Sequence, residues 1–181
     1  MFKNKYTVIA CVNNGGAIAK DGKLLYKIGC DLKNFARLTT DNVVIMGRKT
    51  FETLPNGLPL KDRVNIVITS QDNYNVKTDN PDLFKDTYVC NSLEEADNLC
   101  YSLFPDKELF IIGGGTIYDE AFIKDIVDKA IITLVNDETD GDVYFPLFDV
   151  NKYKVIFKTT SLRDQPTDLY YHYIVYKRNA K

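Results

Sequence analysis

The chain predicts an α/β fold: a single-domain, three-layer sandwich with a mostly parallel eight-stranded sheet, an antiparallel C-terminal hairpin and helices on both faces. Three observations carry this. Short runs rich in β-branched and aromatic residues recur along the first two thirds of the sequence, with stretches of helical pattern between them. The runs are apolar nearly throughout, as strands covered on both faces are. After residue 128 the pattern changes to strand-like segments, the last two joined by a polar turn containing Pro166.

The first strand is YTVIACV (6–12), followed by a helix over 31–40. NVVIMG (42–47) is the second strand, leading into a short helix that starts near Lys49, and VNIVIT (64–69) and TYVC (87–90) follow. A helix over 93–103 opens on SLEEA, a capping-box start at Ser92. ELFIIG (108–113) precedes a helix over 116–124. KAIITLV (129–135), YKVIFKTT (153–160) and LYYHYIVYK (169–177) complete the eight strands. Prolines and glycines are scattered among turns, with no internal repeat and no low-complexity stretch, so residues 1–181 read as one domain.

At 45% hydrophobic and 12% aromatic, the chain can bury a sizeable core. Its 23 basic and 25 acidic residues leave a net charge of -2 without a basic stripe, which argues against a nucleic-acid partner and for a small-molecule site. Four cysteines form no CxxC pair and His172 is the single histidine, so no metal is expected. Residues 1–10 lack a long apolar signal-peptide core, and no segment approaches the roughly 20 apolar residues of a membrane span. The expectation is a cytoplasmic monomer with reduced thiols and no membrane partner.

Asp31 is the first candidate. At about 100° per residue it falls between Leu38 and Phe35 on the helix, with Leu32 and Ala36 extending the same apolar arc. It is either an acid drawn to a helix N-terminus by the dipole and free N–H groups, or a carboxylate at the floor of an apolar pocket, able to accept two hydrogen bonds from a planar amidine-like group. IIGGGTIYDEAF (111–122) runs from strand through three glycines into a helix, where N–H groups are offered to phosphate, although a plain turn fits equally. VIMGRKTFETL (44–54) sets Arg48, Lys49 and Thr50 at a strand-to-helix junction, as solvated charges or as a phosphate grip. VITSQ (67–71) places Thr69 and Ser70 as donors on the same edge. Together these strand ends suggest a polyphosphate cofactor. Arg63, just before a buried strand, is either a gatekeeping charge or a clamp on a ligand carboxylate. The acids of NDETDGDVYF (136–145) lack the calcium-loop pattern and read as a solvated loop; His172 reads as structural.

In this order, VIACVNNGGAIAKDGKLLYKIGCDLKNF, VIMGRKTFETL, LPLKDRVNIVITS, IIGGGTIYDEAF and ITLVNDETDGDVYFP resemble the dihydrofolate reductase family across essentially the whole chain. The resemblance implies NADPH-dependent reduction of 7,8-dihydrofolate, with hydride passing from nicotinamide C4 to pterin C6 and a proton reaching N5. Asp31 matches the pterin-binding carboxylate and Thr133 the threonine supporting it, with Tyr26 near the N5 water. Val8, Ile9, Leu32, Phe35, Leu54, Leu58 and Ile112 would line the pterin and benzoyl slot, and Arg63 would clamp the glutamate α-carboxylate. Ala10, Ile18, Ala19 and Tyr118 would surround the nicotinamide. Gly47, Arg48, Lys49, Thr50, Thr69, Ser70, Asn91, Gly115, Thr116 and Ile117 would complete the cofactor edge, with Ser70 beside Arg48 favouring the 2′-phosphate. Gly113 and Gly114 match a cis-linked pair, and residues 20–27 the lid over the nicotinamide. Tyr26, Gly29 and Ala19 stand where tryptophan, proline and glycine are usual in bacterial members. NNGGAI is about one residue longer, and LKD before Arg63 exceeds the usual single residue. The competing readings are a pyrimidine reductase of related fold, against which Asp31 speaks, and a non-catalytic NADP(H)- or folate-binding protein.

Overall fold

The computed structural model describes residues 2–76, 82 and 85–180. In chain order the elements are β1 (Tyr6–Asn13), β2 (Ala17–Lys20), β3 (Lys23–Leu24), α1 (Gly29–Thr39), β4 (Val43–Gly47), α2 (Arg48–Glu52), β5 (Val64–Ile68), β6 (Thr87–Cys90), α3 (Leu93–Leu103), β7 (Leu109–Gly113), α4 (Gly115–Ile123), β8 (Val127–Val135), β9 (Val143–Tyr144), β10 (Tyr153–Lys158), β11 (Leu162–Asp164) and β12 (Leu169–Arg178). Eight strands form one ladder in the order β10-β12-β8-β1-β7-β4-β5-β6. From β8 to β6 every pairing is parallel, and β12 runs antiparallel to both β8 and β10.

Neighbouring residues of each central strand feed opposite layers, because side chains alternate across a sheet. Val8, Ala10, Val43 and Ile45 meet Leu93, Ala96 and Cys100 of α3 and Ile117 and Ala121 of α4. Ile9, Val44 and Met46 meet Phe51 of α2, with Phe35 and Leu38 of α1 packed on the same cluster. Helices therefore cover both faces, which is why these strands are apolar nearly throughout. The α3 cap forms at Ser92, which accepts the Glu95 N–H at 3.2 Å, while Glu95 reaches past the cap residue to accept the Asn91 N–H at 2.7 Å. Also on α3, Asp97 is 2% exposed and collects the Lys3 and Asn4 N–H groups, the Asn4 amide and the Tyr6 hydroxyl, pinning the start of β1.

Two features go beyond the sequence reading. The connection around Pro166 is a hairpin of its own: β11 pairs with the start of β12, and Asp164 closes the turn by accepting from the Thr167 N–H and hydroxyl. A second sheet, β3-β2-β9, joins the segment after β1 to the acidic segment 136–145. That segment is thus an edge partner of β2 rather than a freely solvated loop. Its strand has two residues, too few to show a period.

Candidate functional site

Asp31 lies in the first turn of α1, above the row where β1 and β8 pair Cys11 with Thr133. The buried Thr133 hydroxyl donates to Asp31 Oδ1 at 2.5 Å. Burial pushes the Asp31 carboxyl above the usual carboxylate range, while the Thr133 bond, favouring the anion, pulls the other way. Asp31 sits in the first turn of a helix whose N-cap, Ile28, offers no side-chain cap, and its carboxyl is partly buried against the sheet. The same carboxylate raises the proton affinity of the Cys11 thiol, after burial, so the acid has a neutral neighbour.

Beside it, Ile9 with Phe35, Leu54 and Ile112 forms one apolar cluster over the sheet. Leu32 and Leu58 are 46% and 37% exposed, large apolar side chains at positions assigned to the slot. Val8, assigned to the same wall, is fully buried and its side chain belongs to the opposite layer from Ile9, Phe35, Leu54 and Ile112. Arg63 stands with its guanidinium carbon 6.0 Å from the Phe35 ring centre. Its Nε donates to Thr39 Oγ1 at 2.8 Å and its terminal nitrogens reach the Lys61 and Ala36 carbonyls and Thr40 Oγ1, so the end of α1 fixes the side chain.

The assigned cofactor residues converge because parallel strands end level. Gly47 pairs with Ile68, Ile68 with Cys90, and Met46 with Gly113, so Arg48, Thr69, Ser70, Asn91 and Gly114 follow on one edge. Gly113 and Gly114 are joined by a cis peptide bond, as the resemblance implies. A Cβ on Gly114 would lie 3.1 Å from Thr50 Oγ1, and one on Gly47 3.3 Å from Ile117 Cγ1. Those glycines leave room for the Thr50 and Ile117 side chains, and α4 begins just beyond with no side chain capping it. Gly115 and Thr116 supply its first N–H groups, a fit for phosphate oxygens. Lys49 and Ser70 are exposed on this edge. Arg48 turns to Glu52 in its own helix, at 2.9 Å to both oxygens, rather than to Ser70. The Thr69 hydroxyl accepts the Gln71 N–H, and Asn91 spends its N–H on Glu95.

Ala10 and Ile18 are buried in the layer shared with Tyr118, and Ala19 lies on β2. The Tyr118 hydroxyl donates to the Ile9 carbonyl at 2.7 Å. Tyr26, expected near the pterin, packs with Ile28, Val135 and Tyr171 and donates its hydroxyl to Asp137 at 2.6 Å. Sequence reasoning passed over Asn13 and Asp142. The Asn13 amide is 2% exposed, donates to the Thr139 carbonyl and accepts the Gly15 and Ala17 N–H groups; Asp142 accepts the Asp21 N–H. An amide at the end of an apolar strand was the signal for Asn13.

The sequence profile described as dihydrofolate reductase matches residues 5–178. A dihydrofolate reductase from Staphylococcus haemolyticus is 30% identical over 176 residues, covering 96% of each chain, and one from Schistosoma mansoni is 35% identical over 178 residues, covering 92% of this chain and 89% of that one. The solved structure of dihydrofolate reductase from Enterococcus faecalis, complexed with NADP(H) and RAB-propyl, superposes with a TM-score of 0.80 at 28% identity, covering 99% of both chains. An acid held by a buried threonine, a glycine-lined strand edge and this agreement along the whole length place the chain in the dihydrofolate reductase family.

Proposed function

We propose that this chain reduces 7,8-dihydrofolate to 5,6,7,8-tetrahydrofolate with NADPH, thereby serving one-carbon metabolism, and that Asp31 is its pterin-binding acid. The observation that carries the reading is the Thr133 hydroxyl on Asp31 Oδ1, which orients a desolvated carboxylate beside an apolar slot. So oriented, the carboxylate accepts from the pterin 2-amino group and N3–H, two parallel donors matched to its two oxygens. When bound, NADPH supplies the hydride that passes from its nicotinamide C4 to pterin C6. Burial raises the proton affinity of the Asp31 carboxyl, which favours its taking up a proton for delivery to N5 through water or the pterin's own enol form.

Ile9, Phe35, Leu54 and Ile112 supply the apolar walls, and Leu32 and Leu58 close over the ligand. Arg63, fixed by Thr39 and the Ala36 carbonyl, meets the glutamate α-carboxylate. Gly113, Gly114 and the start of α4 meet the phosphates with Thr50 and Lys49. Arg48 leaves Glu52 to pair with the 2′-phosphate beside Ser70; an exposed i,i+4 ion pair contributes only about 0.3–0.5 kcal/mol. We read residues 1–181 as one domain that acts as a monomer. Free thiols, Cys30 exposed among them, suit the reducing cytoplasm. No helix among the described residues is long and apolar enough to cross a membrane.

The test follows loss of NADPH absorbance with dihydrofolate present, repeated with NADH and with Asp31→Asn. Turnover with NADPH, weaker turnover with NADH and loss in the variant are expected. No turnover with either cofactor overturns the reading.

A further inference from the structure

The first strand ends on an amide. Asn13 pairs with Val135 where β1 and β8 both finish, and its side chain is buried at 2% exposure. A buried amide costs the fold its desolvation unless it is bonded. This one has three bonds: Nδ2 donates to the Thr139 carbonyl at 2.8 Å, and Oδ1 accepts the Gly15 N–H at 3.1 Å and the Ala17 N–H at 2.9 Å.

These bonds reach both arms of the second sheet. Ala17 opens β2, and Thr139 precedes β9, which pairs with β2 through Ala17–Tyr144 and Ala19–Val143. Between β1 and β2 lies the turn Asn14–Gly16, in the stretch that is about one residue longer than its family counterparts. Gly16 takes a φ of +80° there, and its N–H returns to the Asn13 carbonyl at 2.9 Å. A turn with two glycines and an added residue is a compliant link, which does little to fix where β2 begins. The Asn13 side chain spans that turn, tying the first residue of β2 to the last residue of β1. Ile18 follows at once, buried in the layer that holds Tyr118, and Ale19 comes next on the same short strand.

We propose that Asn13 is a positioning residue for hydride transfer: by accepting the Gly15 and Ala17 N–H groups it fixes the start of β2, and with it the wall of Ile18 and Ala19 against which the nicotinamide lies. The inference rests on the reading of those two residues as the nicotinamide wall and deepens it by naming what sets their place. Hydride transfer needs its donor and acceptor carbons within a narrow range of separation, so a displaced wall is felt in the chemical step more than in binding. The Thr139 bond anchors the amide itself. It engages Nδ2 and leaves Oδ1 turned toward the two N–H groups.

Single-turnover hydride transfer, with NADPH and dihydrofolate saturating, tests this. Asn13→Ala removes all three bonds and is expected to slow the step about tenfold, while Asn13→Asp, which keeps two acceptor oxygens, stays within about threefold of the unaltered protein. Affinity for dihydrofolate without NADPH should hold in both variants, because Asp31 and the apolar slot belong to α1 and the main sheet. Amide exchange at Ala17 in the ligand-free protein should quicken about tenfold in Asn13→Ala and stay slow in Asn13→Asp. An undiminished hydride step in Asn13→Ala overturns the proposal. So does an Asn13→Asp variant as slow as Asn13→Ala, or a loss of dihydrofolate affinity that matches the loss of rate. If the unaltered protein transfers no hydride, the reading of the nicotinamide wall falls instead, while Ala17 exchange still decides whether Asn13 fixes β2.

Discussion

The hydroxyl of Tyr26 donates to Asp137 at 2.6 Å, joining the end of segment 20–27, which we read as the lid over the nicotinamide, to the loop that follows β8. Hydrogen bonds from the Thr139 hydroxyl and from Tyr26 hold the Asp137 carboxyl down at about 2, and burial with the same bond pushes the Tyr26 phenol up to about 12. The donor stays protonated and the acceptor stays charged between those limits, so the tether does not titrate near neutral pH. A hydrogen bond to a charged group contributes about 1.5 kcal/mol or more, less where water reaches it. Tyr26→Phe is therefore expected to raise the opening equilibrium of the lid about fivefold, for a loss of about 1 kcal/mol. Limited trypsin digestion reads this directly, since Lys20, Lys23 and Lys27 are exposed on that segment. Unchanged cleavage there would show that the tether does not hold the lid.

Asp31 carries a cost for the fold that its role explains. Burial raises its carboxyl above the unfolded value, so the folded state disfavours the anion. Below an unfolded value of about 3.9 both states are protonated and the group is neutral toward stability. As pH rises through the unfolded value and then the folded one, the fold loses stability, and the loss is complete above the folded value. Asp31→Asn removes that charge. It should raise Tm at pH 7 and leave it nearly unchanged at pH 3, while turnover of dihydrofolate at neutral pH falls by about a hundredfold or more. NADPH affinity should hold. Scanning calorimetry at the two pH values, beside an NADPH titration, separates these effects; a fall in Tm at pH 7 would contradict the buried-charge account.

What the sequence made legible was decided by range. The β-branched runs, the Ser92 cap and the apolar arc around Asp31 are local patterns, and each has its counterpart in the structure. Asp31 stood out because an acid on an apolar arc breaks a local rule. The β2–β9 pairing breaks none: it joins Ala17 to Tyr144, and nothing within either short segment records the other. Tyr173 was hidden for a related reason. Its alternation in β12 fitted a hairpin, and only the pairing of β12 with β8 sets it opposite Thr133, the residue that bonds Asp31.

Asp97 was hidden as one more acid in SLEEADNL, yet it is the most heavily bonded buried carboxylate described. Its two oxygens accept from Lys3 and Asn4 N–H groups, Asn4 Nδ2 and the Tyr6 hydroxyl. Asp97→Ala leaves the buried Tyr6 hydroxyl and the backbone donors without partners, at about 1–3 kcal/mol for a group so stranded. Destabilisation of about 3 kcal/mol is expected by urea titration, with kcat at low temperature unaffected because Asp97 lies on α3, on the opposite layer from the slot. Loss below 1 kcal/mol would mean that water replaces the carboxylate.

Gly141 tests whether the second sheet governs the lid. A Cβ there would lie 2.7 Å from the Ala19 carbonyl oxygen and 2.9 Å from the Ala17 Cβ, both fixed parts of β2. The first is a backbone atom, so no rotamer relieves the contact, and β2 or the loop must shift. The same loop donates the Asp142 N–H to the Ala19 carbonyl at 2.9 Å and accepts the Asp21 N–H on the Asp142 carboxylate at 2.8 Å. Gly141→Ala should break both bonds together. The main sheet takes no support from them, so the expected loss of Tm is small while KM for NADPH rises several-fold and lid cleavage by trypsin speeds up. The combination is diagnostic, because damage to the core would lower Tm first. An unchanged KM with unchanged cleavage would show that β2 yields to the extra methyl and that the lid is held from its Tyr26 end alone.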